Sequence, residues 1–242
     1  MENSLYIGLS KQVVLRENMN IIANNVANIN TPGFRGQNMV FNEYISDPRF
    51  MEEDMSLVLD YGQYQMTDPG SLSDTGNPLD IALVGDGFLG IQTLGGEIQY
   101  TRSGNLSLDA EGVLRNARGL AVMDDRGGEI TIPNDATEIT IDRQGVISTN
   151  QGEVANLMIL EFGNPQELNP AGNGLYETTA VGVPAERTTV KQGMLEGSNV
   201  QAVVEMTRMI DVHRTYQSVQ NIMNSEHERL RTAAQRLART QA

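Results

Sequence analysis

No Pro or Gly occurs between Ser198 and Ala242, and apolar residues recur there at alternating three- and four-residue spacing. The positions are Ala202, Glu205, Met209, Val212, Tyr216, Val219, Met223, Glu226, Leu230, Ala233 and Leu237, nine of the eleven being apolar. An α-helix turns once in about 3.6 residues, so this spacing draws one narrow stripe along one helix face. A helix over the whole segment would be about 60 Å long. Val200, Val203, Met206 and Ile210 widen the stripe at its start, and Ser198 is a suitable N-cap before Val200. A helix with so little apolar area does not hold in water alone, so it is expected to order only against another helix of the chain or a neighbouring subunit.

The partner is legible at the other end. A heptad frame through Leu5, Gly8, Gln12, Leu15, Met19, Ile22, Val26 and Ile29 gives a second seam, with Leu9 and Val13 beside its two non-apolar positions. Between Asn18 and Asn30, six of thirteen residues are Asn. Each lowers helix stability by about 0.6 kcal/mol relative to Ala, so together they cost an isolated helix about 3–4 kcal/mol. Asn24, Asn25 and Asn28 are therefore expected to exchange amide hydrogen bonds with packed neighbours, the alternative being solvated amides, with Asn25 and Asn28 fraying the helix end before Pro32. Thr31-Pro32-Gly33 then ends the helix, because Pro32 biases Thr31 away from helical geometry and Gly33 supplies a turn. Met206, Met209 and Met223 suit a surface that must fit irregular contacts.

Charge separates the ends from the middle. The chain of 242 residues has a net charge of −14, but residues 36–199 hold 25 of the 31 acids and only 8 of the 17 bases. Residues 1–35 and 200–242 are close to neutral and can lie side by side. The acidic middle repels nucleic acid and anionic lipid and suits a solvated outer surface. No run of apolar residues is long enough for a transmembrane helix. The opening MENSLYIGLSKQVVL starts acidic and has no apolar core or cleavage motif, so no cleaved signal peptide is expected.

The middle reads as β structure. Residues 36–79 are irregular: SDPRFMEEDMS and TDPGSLSDTGNP have turn chemistry, and LVLDYGQYQM between them suits a strand or hairpin arm. From Leu79 onward, short strands alternate with Gly-containing turns. Residues 106–114 (LSLDAEGVL) and 139–147 (ITIDRQGVI) repeat the pattern strand, Asp-x-x-Gly, strand, and Val122-Met-Asp-Asp-Arg-Gly is a weaker third copy. Asp opens a type I turn and Gly takes the left-handed position that closes the hairpin. The expected fold class is α+β: long N- and C-terminal helices that pair in coiled-coil fashion, with an inserted all-β, hairpin-rich domain. The expected boundaries are 1–35 (assembly helix and turn), 36–79 (extended linker or hairpin), 80–190 (β domain) and 191–242 (C-terminal assembly helix).

Chemistry finds little footing. Without Cys there is no disulfide, thiol nucleophile or Cys-zinc site. GDGFLG (85–90) has G-x-G-x-x-G spacing, but a strand follows it where a phosphate loop needs a helix, so it reads as a tight turn. The Asp-x-x-Gly copies offer one fixed carboxylate each, too few for a calcium loop. His213 and His227 lie about 21 Å apart on a helix, too far for one ion. No G-x-S-x-G is present, and spacing alone cannot set Asp80 and Asp86 across a sugar. No catalytic residue, cofactor or metal site is expected.

Five stretches, in order, resemble the rod and hook family of the bacterial flagellar basal body. They are NNVANINTPGFR, TGNPLDIALVGDGFLGIQT (75–93), YTRSGNLSLDAEGVLRNARG (100–119), GNGLYET (172–178) and VKQGMLEGSNVQAVVEMTRMIDVHRTYQ (190–217). Within that family, MENSLYIGLS, TPGFR and the short chain favour a proximal over a distal rod subunit. The resemblance implies a non-enzymatic subunit that polymerises with itself and other rod proteins into a periplasmic helical tube. Such a tube transmits torque and encloses an export channel. It also implies passage through the flagellar type III export apparatus without a cleaved signal, no nucleic-acid partner and no membrane insertion. A distal rod subunit and, in a different class, a rod-associated peptidoglycan-processing enzyme are the alternatives. The assembly interface is expected at Leu5, Leu15, Met19, Ile22, Asn24, Asn25, Val26, Asn28, Ile29, Pro32, Gly33 and Phe34. On the second helix it is expected at Met206, Met209, Ile210, Val212, Tyr216, Val219, Met223 and Leu230.

Overall fold

The computed structural model describes residues 2–46, 55–133 and 135–240. Helix α1 spans Glu2–Ala27 and helix α2 spans Ala202–Thr240, with eighteen short strands between them. The architecture is α+β: an N-terminal helix, a β-rich centre and a C-terminal helix. The chain divides into two compact units. One comprises residues 1–27, 37–64 and 201–242; the other comprises 28–36 and 65–200.

In the first unit, α1 packs along α2, and strand Gln37–Ser46 pairs with strand Met55–Gln65. The strand expected within LVLDYGQYQM is thus present, whereas the turn expected in SDPRFMEEDMS falls mostly at 47–54, outside the described residues. Two contacts fix the helix directions. Asn25 of α1 meets Glu205 of α2, and Gly8 lies against Val219 and Met223, so the helices run antiparallel. The helix start differs from expectation. α2 begins at Ala202, so Ser198 is not its N-cap; the Ser198 hydroxyl instead accepts from the Val200 amide at 3.2 Å. The reason is local: Asn199 is pinned in a bend before the helix, its amide donating to Phe34 O and its side chain to Met66 O and Asp68 O.

The second unit is built from antiparallel strands. The largest sheet runs in the order Asn169–Gly172, Leu175–Glu177, Ile98–Thr101, Phe88–Gln92, Ala121–Val122, Leu114–Asn116, Leu106–Leu108. Ile159–Glu161 joins it beside Phe88–Gln92 and also pairs with Val183–Pro184. Ile139–Ile141, Val146–Thr149 and Gly152–Asn156 form a three-stranded sheet. Two further pairs, Ile81–Val84 with Thr189–Gln192 and Leu72–Asp74 with Met194–Glu196, tie early segments to late ones. Aliphatic side chains fill the core, among them Ile81, Leu89, Ile91, Leu114, Val122, Ile130, Ile132 and Ile147. The chain has no Trp, and among the described residues Phe88, Phe162, Tyr176 and Tyr100 form an aromatic cluster, set edge to face.

The three Asp-x-x-Gly copies share one geometry. In each, the Asp carboxylate accepts from the amides two and four residues on: Glu111 and Val113 for Asp109, Arg126 and Gly128 for Asp124, Gln144 and Val146 for Asp142. In each, the Gly amide returns to the Asp carbonyl, and Gly112, Gly127 and Gly145 have φ of 82°, 82° and 91°. One local solution, a side-chain-capped turn closed by a left-handed Gly, serves all three copies and recurs at Asn116–Gly119, with Asn in place of Asp.

Candidate functional site

The seam of α2 is placed along one line. Ala202, Glu205, Met209, Val212, Tyr216, Val219, Met223, Glu226 and Leu230 are buried or half-buried, and every other residue from 203 to 229 is exposed. Beyond Leu230 the line stops: residues 231–236, Ala233 included, are exposed. At 1.5 Å per residue, α1 is about 20 Å shorter than α2, so the antiparallel pair runs out of α1 there.

On α1, Leu5, Gly8, Gln12, Leu15, Met19 and Val26 are half-buried and Ile22 is buried. Val14, Ile21 and Asn25 are buried as well. They fall outside the seam frame, so α1 buries a wider face than a heptad seam. α1 also contacts strand Gln37–Ser46, where Asn25 meets Gln37. Gly8, one of the two non-apolar seam positions, lets the helices approach closely. A Cβ there would lie 2.9 Å from Met223 Cγ. One of the two exceptions on the other helix, Glu205, is 3 % exposed and accepts from Asn25 Nδ2 at 3.2 Å and Arg208 Nη1 at 2.8 Å.

Asn25 carries the polar part of this interface. Its Nδ2 also donates to Gln37 O at 2.8 Å, and its Oδ1 accepts from Gln37 N at 2.9 Å. The amide thus behaves as one more strand residue beside Gln37. The other Asn residues differ: Asn20 and Asn24 are exposed, and Asn28 Oδ1 accepts from the Thr31 hydroxyl in the turn after the helix.

Both helices keep a second apolar row facing outward. On α1 it is Tyr6, Leu9 and Val13; on α2 it is Val203, Met206 and Ile210. Each row has the spacing i, i+3, i+7, one face of a helix. Of the expected interface residues, Met206 and Ile210 belong to this exposed row. Met209, Val212, Tyr216, Val219, Met223 and Leu230 line the seam with α1.

The turn at 28–36 is fastened within the second unit. Gly33 has φ +67°, and a Cβ there would meet the Arg102 backbone at 2.5 Å, so only Gly fits. Gly33 N donates to Glu196 O, and Gly36 N donates to the Asn199 side chain. Ile29, Pro32 and Phe34 are half-buried beside this turn. Arg102 is wholly buried, and all five of its donors are used. Nε and Nη2 reach Glu196 Oε2, the second at 2.6 Å; Nη2 also reaches Leu83 O, and Nη1 reaches Gly85 O and Gly87 O. The carbonyls of GDGFLG therefore face an arginine, and Gly87 N is taken by Thr188 Oγ1. This is a structural turn. Sequence reading missed Arg102 and Arg35, because nothing in an alternating β pattern marks which Arg is inside.

Arg35 is 2 % exposed, and its guanidinium carbon stands 5.4 Å from the Phe88 ring centroid, with that of Arg102 at 5.6 Å. Burial, and then the Arg102 charge, pull its pKa below the usual arginine range.

Family models match three parts of the chain: "Flagella basal body rod protein" at residues 5–35, "Flagellar hook protein FlgE/F/G D1 domain" at 82–149 and "Flagellar basal body rod FlgEFG protein C-terminal" at 191–236. The flagellar basal-body rod protein FlgF of Caulobacter vibrioides is 36% identical over 244 residues, covering 99% of each chain. The chain belongs to the flagellar basal-body rod proteins. It is a structural subunit of the rod, in the flagellar basal body. FlgF of Rhizobium meliloti is 32% identical, covering 98% of each chain, and the rod protein FlgG of Bacillus subtilis is 31% identical, covering 94% of this chain and 96% of its own. In this rod protein the matched terminal segments are the two helices with their turns, and the matched central segment holds all three Asp-x-x-Gly turns. No helix among the described residues is long and apolar enough to cross a membrane.

Proposed function

We propose that this chain is a non-enzymatic building block of the proximal part of the rod, where copies and other rod proteins polymerise into a periplasmic helical tube. The tube transmits torque and encloses the export channel, and the subunit reaches it through the flagellar type III apparatus without a cleaved signal. It takes no cofactor and no nucleic acid, and it does not insert into membrane. The proposed division is a 1–35 assembly helix and turn, a 36–79 hairpin segment, an 80–190 β domain and a 191–242 assembly helix. The assembly residues are those expected from sequence, with α1 and α2 pairing in coiled-coil fashion through Leu15, Ile22, Val219 and Met223.

The observation that carries this reading is the second apolar row. A helix whose seam is already filled has no internal use for Val203, Met206 and Ile210 at 77%, 53% and 52% exposure. Contiguous apolar rows left in solvent mark contact surfaces. Leu9→Asp and Ile210→Asp test it, since both sites are exposed and neither change touches the core. The expected result is a chain with unchanged circular dichroism that no longer polymerises and gives no swimming halo. Normal motility in both variants would overturn the assignment. Subunit-resolved cryo-microscopy of isolated basal bodies places the chain along the rod, and a distal position would overturn the proximal reading.

A further inference from the structure

Nε, Nη1 and Nη2 of Arg35 are all buried, and none has a hydrogen-bond partner among the described residues. A guanidinium held out of water without an acceptor is strongly disfavoured, and buried charges in folded chains are paired. The neighbouring charges do not supply the pair. Glu196 is committed to Arg102 through Oε2 and to Gly70 N through Oε1, and Asp86 is exposed. Beside Arg35 lies a cavity of about 220 Å³, lined by Arg35, Glu196, Asp86, Pro69, Leu72 and Val84 among others. It is smaller than the roughly 300 Å³ at which small-molecule sites begin, and is closer to the size of one side chain. Leu72 and Val84, each 38% exposed, give it apolar walls suited to a methylene stem.

We propose that this cavity receives the carboxylate of an acidic side chain from a neighbouring copy of the chain in the assembled rod. Charge supports the occupant: residues 36–199 carry 25 acids against 8 bases, so adjoining copies present carboxylates to one another in excess. A buried, unpaired arginine is where one of them is most favourably placed. Glu196 and Asp86 on the lining favour a singly charged carboxylate over a doubly charged phosphate. The source of the carboxylate rests on the rod reading; the chemistry of the cavity does not.

The first measurement uses the full chain, with acetate as probe against chloride at constant ionic strength, read by the NMR shifts of the Arg35 side chain and Phe88. The expected result is a saturable acetate-dependent shift, weakened about tenfold or more in Arg35→Gln. Leu72→Trp leaves Arg35 in place and fills the cavity mouth, so the shift is lost there even if Arg35→Gln fails to fold. No acetate shift in the wild type, or the same shift in Leu72→Trp, overturns the proposal. The second measurement is swimming in cells carrying Leu72→Trp at normal protein level, where loss of motility is expected. Acetate binding with normal swimming overturns the neighbouring copy as source and leaves a free carboxylate as the ligand. Absence of the wild-type chain from basal bodies would instead defeat the rod reading and leave the acetate result standing.

Discussion

Asn25 and Asn20 sit five residues apart on one helix, and opposite effects are expected from removing them. Asn25 satisfies both backbone groups of Gln37 and one oxygen of buried Glu205. Asn25→Ala orphans them, so a loss of about 1–3 kcal/mol is expected by urea unfolding. Asn20 is exposed and reaches only Glu17. Asn20→Ala is expected to be neutral or to stabilise by about 0.6 kcal/mol, because Ala is the better helix former. The sequence showed that this helix had too many Asn residues to stand alone, but not which of them was inside. That depends on strand Gln37–Ser46, which lies in a stretch that read as irregular. A second residue-scale expectation concerns acid. The Thr188 hydroxyl, donating to Glu161 at 2.7 Å, holds the Glu161 carboxyl below its usual range, and the Arg187 and Thr188 amides add to this. A depressed carboxylate contributes stability that is present above its unfolded pKa and is lost as pH falls through the folded value. Glu161→Gln is therefore expected to be less stable than wild type at pH 7, with the gap in urea midpoint narrowing as pH falls through the lowered Glu161 pKa.

At the scale of elements, the α2 seam was fully legible up to Leu230, because a long uninterrupted helix with one partner obeys its own periodicity. α1 was legible only in part. It packs against both α2 and a strand, and its buried face includes Val14 and Ile21, which carry no heptad mark. Gly8 looked like a defect in the seam and is instead its closest point. Gly8→Leu is expected to push α1 from α2 at Val219 and Met223 and to lower helix content by circular dichroism. Met223→Ala in the same chain should restore much of it, which separates a steric wedge from a change in helix propensity. The Asp-x-x-Gly turns were readable for the opposite reason: their hydrogen bonds lie within five residues, so no distant partner intervenes.

At the scale of the whole molecule, the β-rich unit is closed by residues far apart in sequence. Strand Leu72–Asp74 finds its partner at Met194–Glu196, Ile81–Val84 finds its partner at Thr189–Gln192, and Arg102 waits on Glu196. None of this was visible in the local pattern, which suggested a β domain ending near residue 190. A fragment of residues 28–200 is accordingly expected to unfold cooperatively. A fragment of 28–190 is expected to lose that cooperativity, because it leaves Arg102 buried without its carboxylate, a loss of about 3–5 kcal/mol. Differential scanning calorimetry of the two fragments checks this.

The Arg102–Glu196 pair also acts as a clock. A chain synthesised from its N-terminus presents Gly33, Arg35 and Arg102 long before Glu196. Until residue 196 is out, the arginine has no carboxylate, Gly33 N has no carbonyl, and two edge strands have no mates. Closure of the β-rich unit is therefore deferred until the last quarter of the chain is available, however early the local hairpins form.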